Sequence, residues 1–198
     1  MRVIDGEATP KVHAYILTGD GSRDIRVVKA TAEKYDHSKV LKVPQTPLKG
    51  TGLASVAKAV ATLMSKRVGV SRYLIVIDRE HVKSFKDLMK KFTEYGLEVT
   101  STEELAEWSW VLKVRRGSRE ADVYVAVLGI RRRIEENLAK LIELTCGEKV
   151  EGSKKAVGKW LRKNKLEDTD LVRKASKQQV EEALPTLTKA LKELASDT

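Results

Sequence analysis

Short apolar runs alternate along the first hundred positions with longer segments whose apolar residues recur every three to four places, the signature of strands followed by helices. Residues 12–17, with Ala14-Tyr15-Ile16-Leu17 at their centre, read as a first strand. A loop from Gly19 to Ser22 then leads to a helix carrying Ile25, Val27, Val28 and Ala32, for which Ser22 is the expected N-cap. Lys39–Val43 reads as a second strand closed by Pro44 and Pro47, and Leu53, Val56, Ala57, Val60, Leu63 and Met64 form one face of a second helix. Tyr73–Ile77 is continuously apolar, as in a strand covered on both faces, and Asp78 ends it. Ser84 is placed to cap a helix through Phe85, Leu88, Met89 and Phe92, Gly96 to stop it, and Leu97-Glu98-Val99 to form a fourth short strand. This order predicts an α/β fold with a central, mainly parallel sheet flanked by helices.

Beyond residue 100 the rhythm changes. Ser101 and Glu104 have capping-box spacing and predict a short helix, while Trp110–Val114 and Val123–Val127, separated by Gly117-Ser118, predict a β-hairpin. Ile134, Leu138, Leu141 and Ile142 mark a helix ended by Cys146-Gly147. From Lys149 to Lys177 ten Lys and Arg face four acids, which predicts a basic helical C-terminal extension over 148–198 attached to an α/β domain over 1–147. Its last helix, opened by the Ser176/Gln179 capping box, carries Val180, Leu184, Leu187 and Leu191, with Pro185 placed to kink it. That apolar face is a candidate for docking a protein partner.

Charge narrows the choice of partner. The chain of 198 residues has 38 Lys and Arg against 28 Asp and Glu, a formal charge of +10 that favours a polyanion such as DNA or RNA. The single cysteine, Cys146, excludes an intramolecular disulfide and a Cys-based zinc site. No apolar stretch reaches the roughly 20 residues needed to span a bilayer, and Met1–Glu7 lacks a signal-peptide core, so a cytoplasmic protein is expected. A third of the residues are charged while Met numbers three, a composition like that of proteins from thermophiles.

Candidate chemistry lies at two strand ends. Asp20-Gly21-Ser22-Arg23-Asp24 follows the first strand and Asp78-Arg79-Glu80 the third. Ligands of open α/β sheets bind beyond the carboxyl ends of strands, so Asp20, Asp78 and Glu80 are candidates to hold Mg²⁺ or Mn²⁺ as hard oxygen donors. In an extended chain Asp78 and Glu80 would point the same way and Arg79 elsewhere. The competing reading makes these acids turn and cap residues. The Gly-rich loop lacks the lysine and spacing of a P-loop. His13, His37 and His81 show no metal-ligand spacing, although His81 adjoins Glu80. Glu135 and Glu136 open a helix, where carboxylates suit the dipole. Trp108, Trp110 and Trp160 fit core or interface anchors better than base-stacking residues.

Over about residues 12–100 the chain resembles the topoisomerase-primase (TOPRIM) domain, and most of all the small TOPRIM-like nucleases. Asp20-Gly21 with Asp24 is similar to the family's first motif, and Asp78-Arg79-Glu80 to its Asp-x-Asp motif. The chain departs from the pattern in having Asp20 where Glu is usual and Glu80 where Asp is usual. The resemblance implies a TOPRIM-like fold and a Mg²⁺-dependent site in which Asp20, Asp78 and Glu80 are both metal ligands and catalytic. Two functions are therefore expected: a metal-dependent nuclease, a hydrolase of phosphodiester bonds, or a non-catalytic nucleic-acid-binding or assembly protein. In either, Arg115, Arg116, Arg119, Arg131, Arg132, Arg133, Lys154, Lys155 and Lys159 are the candidate phosphate contacts.

Overall fold

The computed structural model of the chain describes residues 1–6, 12–19, 22–35, 38–44, 51–66 and 69–196, with the side chain of Ser22 excepted. In chain order these form β1 (Arg2–Gly6), β2 (Ala14–Thr18), α1 (Ser22–Ala32), β3 (Val40–Pro44), α2 (Gly52–Ser65), β4 (Arg72–Asp78), α3 (Phe85–Glu94), β5 (Glu98–Ala106), β6 (Ser109–Arg116), β7 (Arg119–Leu128) and α4 (Ile134–Cys146). Four more helices follow: α5 (Lys154–Lys163), α6 (Asp168–Lys174), α7 (Lys177–Ala183) and α8 (Pro185–Ser196). The strands make one seven-stranded sheet in the order β1-β3-β2-β4-β7-β6-β5. The first five are parallel, and β6 and β5 extend the sheet antiparallel beyond β7. The fold is thus α/β with a mostly parallel mixed sheet, and no helix among the described residues is long and apolar enough to cross a membrane.

The continuous apolar runs are explained by burial on both faces. Ala14, Ile16, Leu74, Val76, Tyr124 and Ala126 point to a core shared with α1, α4 and the helices after residue 150. The alternate residues Tyr15, Leu17, Tyr73, Ile75, Val123 and Val125 point to a second core covered by α2 and α3. Val180, Leu184, Leu187 and Leu191 are fully buried in the first core. The apolar face expected to be open to a partner is therefore filled by the chain's own sheet.

Several expectations about individual elements are corrected. Ser101 and Glu104 do not open a helix; they lie in β5, a long edge strand antiparallel to β6, and Leu97–Val99 leads into that strand instead of forming a parallel one. Val99, Thr100 and Thr102 favour extended backbone, and no apolar helical face follows the Ser-x-x-Glu pattern. The exposed Glu98, Glu103 and Glu104 on this edge discourage pairing with another chain. The strand β1, parallel to β3 at the other edge, was not anticipated. Pro185 begins α8 instead of kinking a continuous helix, consistent with its fixed φ and missing N–H at a first helical position. The hairpin β6/β7, the Ser84 cap, whose hydroxyl accepts from Asp87 N–H at 3.2 Å, and the reciprocal Ser176/Gln179 box all form as expected. The helix α1 starts at Ser22 itself.

Gly19 follows β2 in close approach to β4. A Cβ at this position would sit 2.6 Å from Ile77 Cγ1, so the chain leaving β2 lies directly on β4. Gly19→Ala is expected to lower the unfolding free energy by about 1–3 kcal/mol through overpacking, measured by urea denaturation.

Candidate functional site

The sheet order creates a crevice. β2 lies between β3 and β4, so the connection through α1 leaves in one direction and the chain later returns through α2 to the other side. Their carboxyl ends flank the topological switch point where open α/β sheets bind ligands. Here Gly19 N–H donates to Val76 O at 2.9 Å, and Gly19 O accepts from Gly52 N–H at 2.6 Å. A cavity of about 590 Å³ opens at this edge, lined by Arg23, Asp24, Asp78, Glu80, His81 and Arg133 among others.

The two described candidate acids, Asp78 and Glu80, reach this cavity, whereas Asp20 lies outside the described residues. Asp78 is 3% exposed, and its Oδ1 accepts from the backbone N–H of Ile134 at 2.9 Å. It caps α4 across the sheet, a role left open by Arg133, whose side chain supplies no acceptor at the N-cap position. Strand geometry stops at Asp78 because Arg79–His81 form a 3-10 turn, so Glu80 is presented from the turn and not from an extended strand. Its Oε2 pairs with Arg133 Nε at 2.8 Å, its N–H donates to Arg132 O at 3.0 Å, and the ion pair raises the Arg133 pKa still further. Arg79 does point elsewhere, stacking on the Trp108 ring with its guanidinium carbon 4.2 Å from the centroid.

Behind the cavity lies an ion-pair network that connects distant parts of the chain. Arg23 bridges Glu135 (2.7 Å) and Asp168 (3.2 Å), and Arg26 reaches the same Asp168 oxygen at 2.7 Å. The Glu135 and Asp168 side chains are only 7% and 3% exposed, so the guanidinium is what makes their ionised burial tolerable. Glu136 instead accepts from the N–H groups of Arg131 (2.6 Å) and Arg132 (3.0 Å), which fixes the β7–α4 loop. Gly129 permits that loop: its φ is +93°, and a Cβ there would meet Arg133 N at 2.4 Å. Sequence reasoning gave Glu135 a role at the helix dipole or in completing a metal shell and passed over Asp168, because their shared partner Arg23 is over a hundred positions away.

Three of the described acids that line the cavity, Asp78, Glu80 and Glu135, are engaged by the protein itself. Mg²⁺ takes octahedral oxygen ligands, usually including one or two carboxylates not committed elsewhere. Here the Asp78 carboxylate caps a helix, while Glu80 and Glu135 are each neutralised by an arginine. Among the described residues no group of three or more His, Cys, Asp or Glu side chains could hold a metal ion.

The candidate cations divide into two groups. Arg115, Arg116 and Arg119 sit at the opposite end of the sheet, engaged respectively with the Glu98 carboxylate, Tyr95 O and Met64 O. Arg131, Arg132 and Arg133 occupy the loop at the cavity edge, and Lys154 at the start of α5 lines the same cavity as Arg133. Lys154, Lys155, Lys159, Arg162, Lys163 and Lys165 are all exposed, and none forms an ion pair with another described residue. Trp110 and Trp160 are buried, and Trp160 Nε1 donates to Glu148 at 2.9 Å; Trp108 remains partly exposed. His13 Nε2 lies 3.1 Å from Leu194 O, and His37 is outside the described residues.

No family model matches the chain, and no curated protein or solved structure is significantly similar to it.

Loss of the Asp78 cap gives the test of these assignments. Asp78→Ala is expected to cost about 1–3 kcal/mol of stability by leaving the Ile134 N–H unsatisfied, and Asp78→Asn, which keeps an oxygen acceptor, to cost less. Millimolar Mg²⁺ is expected to leave the wild-type thermal midpoint unchanged. A Mg²⁺-dependent rise that Asp78→Ala abolishes would instead establish a metal site.

Proposed function

We propose that the protein binds nucleic acid, gripping the phosphate backbone along a basic strip that runs from the Arg131–Arg133 loop onto α5. The observation that carries this reading is the set of cations on α5 that form no ion pair with another described residue. Lys155, Lys159 and Arg162 recur at i, i+4 and i+7, so they share one exposed face. Lys154 and Lys155 also lie in the first turn, which has no acid. Cations there oppose the helix dipole, so they are poorly explained by helix stability and well explained by an anionic partner. The TOPRIM resemblance, which rests on Asp20-Gly21 with Asp24 and on Asp78-Arg79-Glu80, supports the same class of partner and a TOPRIM-like description of the parallel core.

A nuclease is the second reading. It is favoured by one observation, the position of Asp78 and Glu80 in a cavity at the switch point of the sheet. The ion pairs of the described acids weigh against it, and binding without cleavage is the function the geometry supports better.

Titration of labelled single- and double-stranded DNA and RNA, with Mg²⁺, Mn²⁺ or EDTA, tests both readings. Binding is expected in EDTA, with affinity falling on the order of a hundredfold between about 50 and 200 mM salt for about four phosphate contacts. The triple variant Lys155→Glu, Lys159→Glu, Arg162→Glu is expected to weaken binding irrespective of sequence and to reduce the salt slope by about three. Unchanged binding by that variant would remove α5 from the interface, and metal-dependent cutting lost in Asp78→Ala would favour the nuclease.

A further inference from the structure

Trp108 occupies a backbone position that suits glycine or asparagine. It is the second residue of the two-residue turn between β5 and β6, where Ala106 pairs with Ser109, and its φ is +67°. For a bulky side chain the left-handed region is an outlier that costs free energy, and turns of this kind favour Asn-Gly or Asp-Gly. The indole is nevertheless held in a defined orientation. Arg79 stacks on it at 4.2 Å, Trp110 meets it in an edge-to-face arrangement with centroids 6.0 Å apart, and Nε1 donates to Glu107 at 3.0 Å. The residue is partly buried, packed against the second core, so a base would have to stack on the part of the ring that Arg79 and Trp110 leave uncovered.

This turn lies at the same edge of the sheet as the basic strip, since Ser109 pairs with Ala126 near the carboxyl end of β7. Arg79 joins the two features: its guanidinium covers the indole and also donates to Ile130 O. Ile130, a large apolar side chain left 56% exposed, precedes Arg131 and Arg132 directly. Arg131 and Gly152 line one cavity, and Arg133 and Lys154 line another, so the strip continues from the loop to α5.

We infer that Trp108 is a base-stacking residue and that the nucleic acid bound is single-stranded. The inference rests on the nucleic-acid reading above and adds strand class and the residue that selects it. A π-face beside a row of cations accommodates an unpaired base together with its phosphates, whereas a duplex keeps its bases stacked on each other and offers the indole no face. Arg79 orients the ring from one side and supplies a cation next to the stacked base. Oligo-dT and oligo-U share the chemistry that this surface recognises.

The test compares full-length wild type, Trp108→Ala, Trp108→Gly and Trp108→Phe for binding to oligo-dT, oligo-U and a DNA duplex. Trp108→Ala and Trp108→Gly are expected to lose about ten-fold in affinity for both single strands and none for duplex, with Trp108→Phe close to wild type. Trp108→Gly, which relaxes the positive φ, is expected to melt no lower than Trp108→Ala, separating lost binding from lost fold. Quenching of tryptophan fluorescence by oligo-dT is expected in the wild type and not in Trp108→Phe. Single-strand binding unchanged in Trp108→Ala, or an equal loss for duplex, would overturn the stacking role while leaving the nucleic-acid reading intact. Failure of the wild type to bind all three, oligo-dT, oligo-U and duplex alike, would overturn both.

Discussion

Burial of both faces of β2, β4 and β7 is the constraint on which the rest of the molecule depends. Each fully buried Leu, Ile or Val contributes about 1.5–3 kcal/mol relative to exposure, and these strands carry such residues at consecutive positions. A sheet that is apolar on both sides requires helices on both sides. Here α2 and α3 cover one face, while α1, α4 and the helices after residue 150 cover the other. The connection from β2 through α1 to β3 and the return from β3 through α2 to β4 then run on opposite faces and place β3 and β4 on either side of β2, which opens the crevice beyond Gly19 and Asp78. The geometry of the candidate site is a consequence of core packing.

The same packing decides what the acids at that crevice can do. A carboxylate as deeply buried as Asp78 or Asp168 is tolerated only when hydrogen-bonded or paired. Asp78 meets the N-terminus of α4, Asp168 meets Arg23 and Arg26, and Glu135 meets Arg23. These contacts join β4 to α4 and α1 to α6, across 56 and 145 positions for Asp78–Ile134 and Arg23–Asp168. Of the acids that read as a cation site in one dimension, the described Asp78 and Glu80 meet a helix N-terminus and an arginine in three. The residues 148–198 are tied into the body by the Arg23–Asp168 contact and by the first core.

Sequence pattern revealed the parallel strands and their helices because period-two and period-3.6 burial follow from local geometry. It also revealed the caps at Ser84 and Ser176, whose partners lie three residues away. It failed at the edges. The strand β1 and the second half of β5 are partly or largely exposed, so neither shows the apolar run or clean alternation that marks a buried strand. Asp78 and Glu80 were legible as residues of the crevice, but their partners Ile134 and Arg133 were not, since those contacts depend on β4 pairing with β7. Trp108 was read from the sequence as a core or interface anchor rather than a base-stacking residue, and only the turn geometry gives its positive φ and its place beside Arg79.

The distribution of charge follows from these commitments. Asp78, Glu80 and Glu135 at the crevice are engaged by a helix terminus and by arginines, and several other surface acids pair with cations on neighbouring elements, as Glu33 does with Arg173 and Glu98 with Arg115. On α5 no such compensation occurs among the described residues, although the helix buries Val157, Trp160 and Leu161 and so is firmly seated. Its apolar face fixes its orientation and its cationic face is thereby held outward. The net surplus of +10 is in part gathered on a packed element beside the crevice, and on the proposed reading a polyanion would be met there without ordering the protein further. Rigid placement of uncompensated cations, more than net charge, distinguishes a polyanion-binding surface from a merely basic one.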